Sequence, residues 1–133
     1  MRGARWVQSD LLEAHPDADI RVYAIFSEFT AGDRGARSEI GPDAYLHDRR
    51  VRVYWDEAKV AGRWFDEKVT KLGARQGIED RAEWDAFFLY GPEAQWGNEP
   101  PSIVSWGRTV YSERERLLRD LGDGISREKG ENR

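Results

Sequence analysis

The sequence predicts an α/β fold, a mixed sheet with helices on both faces, and three observations predict it. Short apolar strands alternate with amphipathic helical stretches in the order α-β-α-β-α-β-β-α. Long connections between the early strands call for parallel crossovers, while a short turn between the last two calls for an antiparallel pair. Apolar residues are only 39% of the chain, yet six are Trp, five Tyr and five Phe. Each such ring buries about 150–250 Å², so the expectation is a small core built from large rings.

Arg2 to Ala14 carries Val7, Leu11 and Ala14 at helical spacing, and Pro16 stops it. Ile20 to Phe29 is a strand whose run Val22-Tyr23-Ala24-Ile25-Phe26 is continuously apolar, as when both faces are covered. Ala31 to Arg37 reads as a loop, and Pro42 to Asp48 as a short helix with Pro42 in its first turn. Arg50 to Trp55 alternates, with Val51, Val53 and Trp55 on one dry face. Asp56 ends that strand and caps a helix over Glu57 to Leu72, and Gly73 stands where a left-handed C-cap belongs. Ala74 to Glu83 is polar and irregular. Trp84 to Tyr90 is a strand and Gly91 to Gln95 a turn; Trp96 opens a return strand that resumes at Ile103 to Trp106. Ser112 starts the last helix, Glu115 stands at capping-box spacing, and Leu117, Leu118 and Leu121 form its stripe to Gly122. Residues 1–122 are therefore expected as a single domain and residues 123–133 as a charged flexible tail.

The 133 residues amount to one ordinary domain. With no cysteine, a disulfide scaffold, a zinc finger and a thiolate nucleophile are excluded. Lys and Arg number 21 against 25 Asp and Glu, a net charge of −4, which argues against phosphate-driven nucleic-acid binding. No apolar run approaches the roughly 20 residues that span a bilayer. Met1-Arg2-Gly3-Ala4-Arg5 leads into no apolar segment, so no signal peptide is visible and the chain as written is expected in the cytoplasm.

Three segments carry a resemblance. Arg5-Trp6-Val7 through Ile20-Arg21-Val22-Tyr23-Ala24 is a helix leading into a buried strand. Val53-Tyr54-Trp55-Asp56-Glu57-Ala58-Lys59-Val60-Ala61 is an apolar strand ending in Asp before a helix. Phe88-Leu89-Tyr90-Gly91-Pro92-Glu93-Ala94-Gln95-Trp96 is a strand meeting a Pro-acidic-small turn. Together with the final helix they resemble the thioredoxin-like superfamily, in its thiol oxidoreductase and peroxiredoxin-like branch. The resemblance implies a thioredoxin-like sheet and, for that branch, a bacterial envelope setting. The first strand and the Cys-x-x-Cys pair of that family are missing, and Asp85 stands where its cis-proline belongs. No catalytic residue of the family carries over, and no cofactor is expected.

Candidate contact residues are Trp84, Asp85, Asp56 and Trp64. Trp84 offers a stacking surface and Asp85 a polar contact where the family has a substrate-facing loop, although packing of Trp84 on the sheet is the favoured reading. Asp56, Glu57 and Asp85 are carboxylates for acid–base work only if brought together with separated pKa values; helix capping explains Asp56 without catalysis. His15 and His47 lack a third ligand at metal-binding spacing and read as solvated. Arg49-Arg50-Val51-Arg52 reads as a solvated strand edge and not as a nucleic-acid stripe. The tryptophans exceed what a small core uses, so an exposed aromatic contact patch is expected among them. Two readings of function follow. One is a redox-inactive binding module that meets a protein partner or a second copy through an exposed sheet edge. The other is a shortened thiol oxidoreductase whose Cys-x-x-Cys lies upstream of Met1.

Overall fold

The computed structural model describes residues 2–27 and 44–131. The chain divides into two compact units, Met1–Pro16 with Ile20–Trp84, and Asp17–Asp19 with Asp85–Arg133. Among the described residues no helix is long and apolar enough to cross a membrane.

In the first unit, α1 (Arg2–Trp6) runs without a break into the wider, π-type turns of Val7–Glu13. Such turns advance more residues per revolution than an α-helix. The buried residues are Trp6, Gln8, Leu11 and Leu12; of the apolar residues the spacing picks out, Leu11 with the flanking Trp6 and Leu12 is buried, while Val7 is half-buried and Ala14 exposed. Strand β1 (Val22–Phe26) pairs in parallel with β2 (Val51–Trp55), with Val22 opposite Val51 and Phe26 opposite Trp55. Bonds from Val22 N–H to the Arg50 carbonyl (3.0 Å) and from Asp56 N–H to the Phe26 carbonyl (2.7 Å) extend the ladder.

Arg50 joins helix to strand. Its Nη1 donates to the His15 carbonyl at 2.8 Å and its Nη2 to the Leu12 carbonyl at 2.7 Å. These are carbonyls at the end of the α1 turns, where a cation complements the negative end of the helix dipole. Asp48 holds the guanidinium in place: its Oδ1 accepts from Arg50 N–H (2.9 Å) and Nε (3.0 Å), and its Oδ2 from Nη2 (2.9 Å). Gln8 completes the joint, its Oε1 accepting from the N–H groups of His47 and Asp48. Arg50 is thus committed to the protein's own backbone.

Helix α2 (Val60–Phe65) continues through π-type turns over Asp66–Thr70, and α3 is Leu72–Gln76. Asp56 does start this segment, its carboxylate accepting from the N–H groups of Val60 (2.9 Å) and Ala61 (2.8 Å).

The second unit is an antiparallel pair, β3 (Ala86–Tyr90) and β4 (Ile103–Arg108), followed by α4 (Arg114–Glu131). Phe87, Gly107 and Leu117 are buried there. Arg116 ties helix to strand through its bonds to the Trp106 carbonyl (2.8 Å) and to Glu113 (2.7 Å).

The chain therefore mixes helices with sheet, as the sequence predicts. Among the described residues, however, the strands form two two-stranded ladders and not one mixed sheet. Tyr23 and Ile25 are exposed, so the apolar run of β1 is dry on one face only. Phe29, the loop of Ala31 to Arg37 and the first two residues of the Pro42–Asp48 helix lie outside the described residues; its remaining five, Ala44 to Asp48, form only a short turn and no α-helix. Trp96 opens no strand. Helix α4 runs past Gly122 to Glu131, where the sequence reading ends it at Gly122. Among the described residues, four of the seven buried apolar side chains are Leu (Leu11, Leu12, Leu46, Leu117), and Trp6 is the one Trp. The core is thus mainly aliphatic, contrary to the large-ring expectation.

The Arg50 contacts lower the Asp48 pKa to about 2. A carboxylate lowered on folding stabilises the fold above its unfolded pKa of about 3.9 and loses that effect as pH falls through its folded value. Asp48→Asn should therefore unfold at lower urea than the natural chain at neutral pH, with the gap closing between pH 4 and about 2. A gap that stays constant over that interval would contradict this.

Candidate functional site

The parallel pair has two unlike faces. Val22, Ala24, Phe26, Val51, Val53 and Trp55 point inward and are buried or half-buried. Tyr23, Ile25, Arg52 and Tyr54 point outward, at matched positions of the register: Tyr23 beside Arg52 and Ile25 beside Tyr54. Tyr23 is 60% exposed, Ile25 45% and Tyr54 54%. Strict alternation on β2 places Arg52 and Tyr54 outward, since successive strand residues face opposite ways. Parallel sheets in α/β proteins are normally covered on both faces, so an open face with two tyrosines and an isoleucine stands out as a contact surface. The tyrosines supply area at low entropy cost and Arg52 supplies charge.

The residues singled out from the sequence fall elsewhere. Asp56 caps α2. Trp64 is half-buried on α2, edge-to-face with Phe65 at 5.1 Å. Trp84 is 49% exposed and ends the first unit, while Asp85 begins the second. Asp85 has φ 47° and accepts the Val110 N–H on its carbonyl and on its side chain. Asp56 and Asp85 therefore belong to different units, Asp56 bonded to the nearby N–H groups of α2 and Asp85 to the N–H of Val110, 25 residues on. Among the described residues no group of three His, Cys, Asp or Glu is placed to hold a metal ion. His15 Nδ1 lies 2.9 Å from the Leu11 carbonyl, and His47 Nε2 lies 3.9 Å from Glu13.

Sequence reasoning missed a buried ionic cluster in the first unit. Arg81 Nη1 donates to Asp66 Oδ1 (2.6 Å) and to Glu83 Oε1 (2.5 Å). Thr70, 1% exposed, donates its hydroxyl to Glu83 Oε1 at 2.5 Å. Gly73 N–H bonds to both Asp66 oxygens, at 3.1 and 3.2 Å. Burial pushes the Asp66 carboxyl up, but Arg81, the Gly73 N–H and Thr70 together hold it below the usual carboxylate value. Burial likewise opposes the Arg81 charge, and Glu83 and Asp66 outweigh it. Two carboxylates on one guanidinium leave the cluster net negative, and its bonds fasten the continuation of α2 and the start of α3 to the Arg81–Glu83 segment. The i→i+5 bond from Lys71 N–H to the Asp66 carbonyl (2.6 Å) belongs to the π-type turns that carry Asp66 and Thr70 inward. The signal available in sequence was the spacing Asp66, Thr70, Gly73, which competes with the apolar spacing Phe65, Val69, Leu72 on the same helix.

Gly73 also departs from its expected role. The left-handed residue is Lys71, φ 57°, and Gly73 lies within α3. A Cβ on Gly73 would stand 2.6 Å from Asp66 Oδ2 and 2.9 Å from the Ile78 carbonyl oxygen. Glycine is required there by close approach and not by its dihedral freedom.

Comparison with protein-family models, with curated proteins and with solved structures finds no match.

Gly73→Ala should cost about 1–3 kcal/mol, the usual penalty of overpacking a tight site. Arg81→Met should cost more, on the order of 3–5 kcal/mol at neutral pH, because it strands two buried carboxylates. The Arg81→Met deficit should shrink as pH falls and the carboxylates take up protons, in the same direction as the Asp48→Asn gap but beginning at higher pH, because burial without a cation raises a carboxyl pKa. Chemical denaturation from pH 3 to 8 distinguishes the two.

Proposed function

We propose that the chain is a thioredoxin-like, redox-inactive interaction module that does no chemistry of its own and pairs with a second copy through the outer face of β1 and β2. The observation that carries this reading is the open face of a parallel pair, bearing Tyr23, Ile25, Arg52 and Tyr54. Thiol–disulfide exchange needs a thiolate, and the chain has no cysteine. The thioredoxin-like reading rests on the segment patterns given above, supported here by the parallel β1–β2 pair and the antiparallel β3–β4 pair.

A second copy suits the face because the face is complementary to itself. It carries a guanidinium and two phenol rings, the two halves of a cation–π contact. A twofold interface presents the same patch from each side, so Arg52 of one copy meets a tyrosine of the other. The four half-exposed side chains offer on the order of 100 Å² apiece. That is below the roughly 800 Å² per partner of a standard interface, so the association is transient.

Sedimentation equilibrium over a concentration series tests the proposal. The natural chain should show a monomer–dimer equilibrium, and Tyr23→Lys with Tyr54→Lys should abolish it while far-UV circular dichroism stays unchanged. A monomer at concentrations approaching roughly millimolar would overturn it, as would a dimer that survives the double substitution.

A further inference from the structure

One end of the outer face of β1 and β2 carries charge that the contact with a second copy leaves unused. Arg21 stands one residue before β1 and is exposed, as are Tyr23 and Ile25. The bond from Val22 N–H to the Arg50 carbonyl carries the ladder to this position. Successive extended residues face opposite ways, so Arg21 shares the outward side with Tyr23. Tyr23 lies beside Arg52 in the register, which makes Arg21 the diagonal neighbour of Arg52. With strands about 4.8 Å apart and two residues spanning about 6.6 Å, their Cα atoms stand about 8 Å apart. Two outward arginine side chains can close on one small group across that gap. Among the described residues neither guanidinium has a hydrogen-bond or ion-pair partner. The outward residues Arg21, Tyr23, Ile25, Arg52 and Tyr54 include no carboxylate. Asp56, next on that side of β2, is turned to the N–H groups of Val60 and Ala61.

We infer that Arg21 and Arg52 hold the phosphate of a small ligand whose flat ring stacks on Tyr23, the chemistry of a nucleoside monophosphate. The guanidinium is a planar fork of donors that meets phosphate oxygens two at a time. A phosphate monoester carries close to two negative charges at neutral pH, which two guanidiniums balance. Tyr23 adjoins both arginines and is 60% exposed. Stacking on such a ring accepts any base, because every base has a π-face. A longer single strand needs a basic groove that follows its backbone. Here the basic residues give way along β2 to Asp56 and Glu57, and the whole chain is at −4, so the occupant is the free nucleotide. Tyr23 and Arg52 also belong to the face assigned to the second copy, so ligand and copy exclude each other. Binding of the ligand does not itself rest on self-association.

The test uses the full chain labelled with ¹⁵N and follows the Nε–H signals of Arg21 and Arg52, each identified by its disappearance in Arg21→Gln or Arg52→Gln. Adenosine 5′-monophosphate, adenosine, inorganic phosphate and a single-stranded oligoadenylate are titrated separately at constant ionic strength. Saturable shifts of both arginines with the monophosphate are expected, about fivefold or more tighter than with adenosine or phosphate, since only the monophosphate offers both charge and ring. Arg21→Gln should weaken the monophosphate severalfold and leave adenosine unchanged. Tyr23→Leu should weaken the monophosphate and adenosine and leave inorganic phosphate unchanged, with far-UV circular dichroism unaltered in both variants. No saturable shift in the millimolar range, equal affinity for phosphate and monophosphate, or full binding by Arg21→Gln overturns the inference. Tighter binding of the oligoadenylate, compared per nucleotide, overturns the assignment to a free nucleotide.

Discussion

The first unit depends on one side chain, Arg50. Its guanidinium meets the closing carbonyls of the first helix, Leu12 and His15, while its own backbone sits at the start of β2. A strand residue thereby serves as the C-cap of a helix that is 35 or more residues away in sequence. Asp48 is what makes this geometry single-valued. Bonded to the Arg50 backbone N–H as well as to Nε and Nη2, it fixes the rotamer that a long flexible side chain would otherwise explore. Hydrogen bonds to a charged donor are about twice as strong as neutral ones. Few other connections in the unit bring together so many partners of distant sequence position.

The ionic cluster around Asp66 answers a different need. A chain with 39% apolar residues and 35% charged ones has too few aliphatic side chains to fill every helix–loop junction. It fills this one with charge. Buried charges are tolerable only when paired and hydrogen-bonded, and Asp66 meets that condition through Arg81, Thr70 and the Gly73 N–H. Such a cluster adds little net stability compared with apolar packing. It does specify one arrangement, because the donors and acceptors match in only one register of α2 against Arg81.

Local chemistry was legible in the sequence where it followed the standard periods. Alternation on β2 placed Val51, Val53 and Trp55 correctly, and Asp56 was readable as a cap because its role is local. Leu117, Leu118 and Leu121 marked the apolar stripe of α4. The misreadings share a physical cause. Both π-type segments, Val7–Glu13 and Asp66–Thr70, widen the helical turn, so a 3.6-residue template misplaces some of the buried side chains. The open face of β1 and β2 was half legible. Tyr23, Ile25 and Tyr54 were seen as strand residues, but a continuous apolar run does not say which face is covered. Trp84, Asp85, Asp56 and Trp64 were chosen by analogy of position, and the open face lies on other residues. The Arg50 joint and the Gly73 contact are invisible locally, because each depends on a partner brought up by the fold.

Among the described residues, four other than glycine occupy left-handed backbone: Lys59, Lys71, Asp80 and Asp85. Aspartate tolerates that region through its short polar side chain, whereas for lysine the conformation costs roughly 1–2 kcal/mol per residue. Proteins drift to just above the stability they need, since selection removes only what falls below a threshold. Lys59 precedes α2 and Lys71 follows its continuation, so both sit at helix junctions. Glycine or asparagine at either position would adopt the same backbone at lower cost, so the architecture itself holds room for added stability.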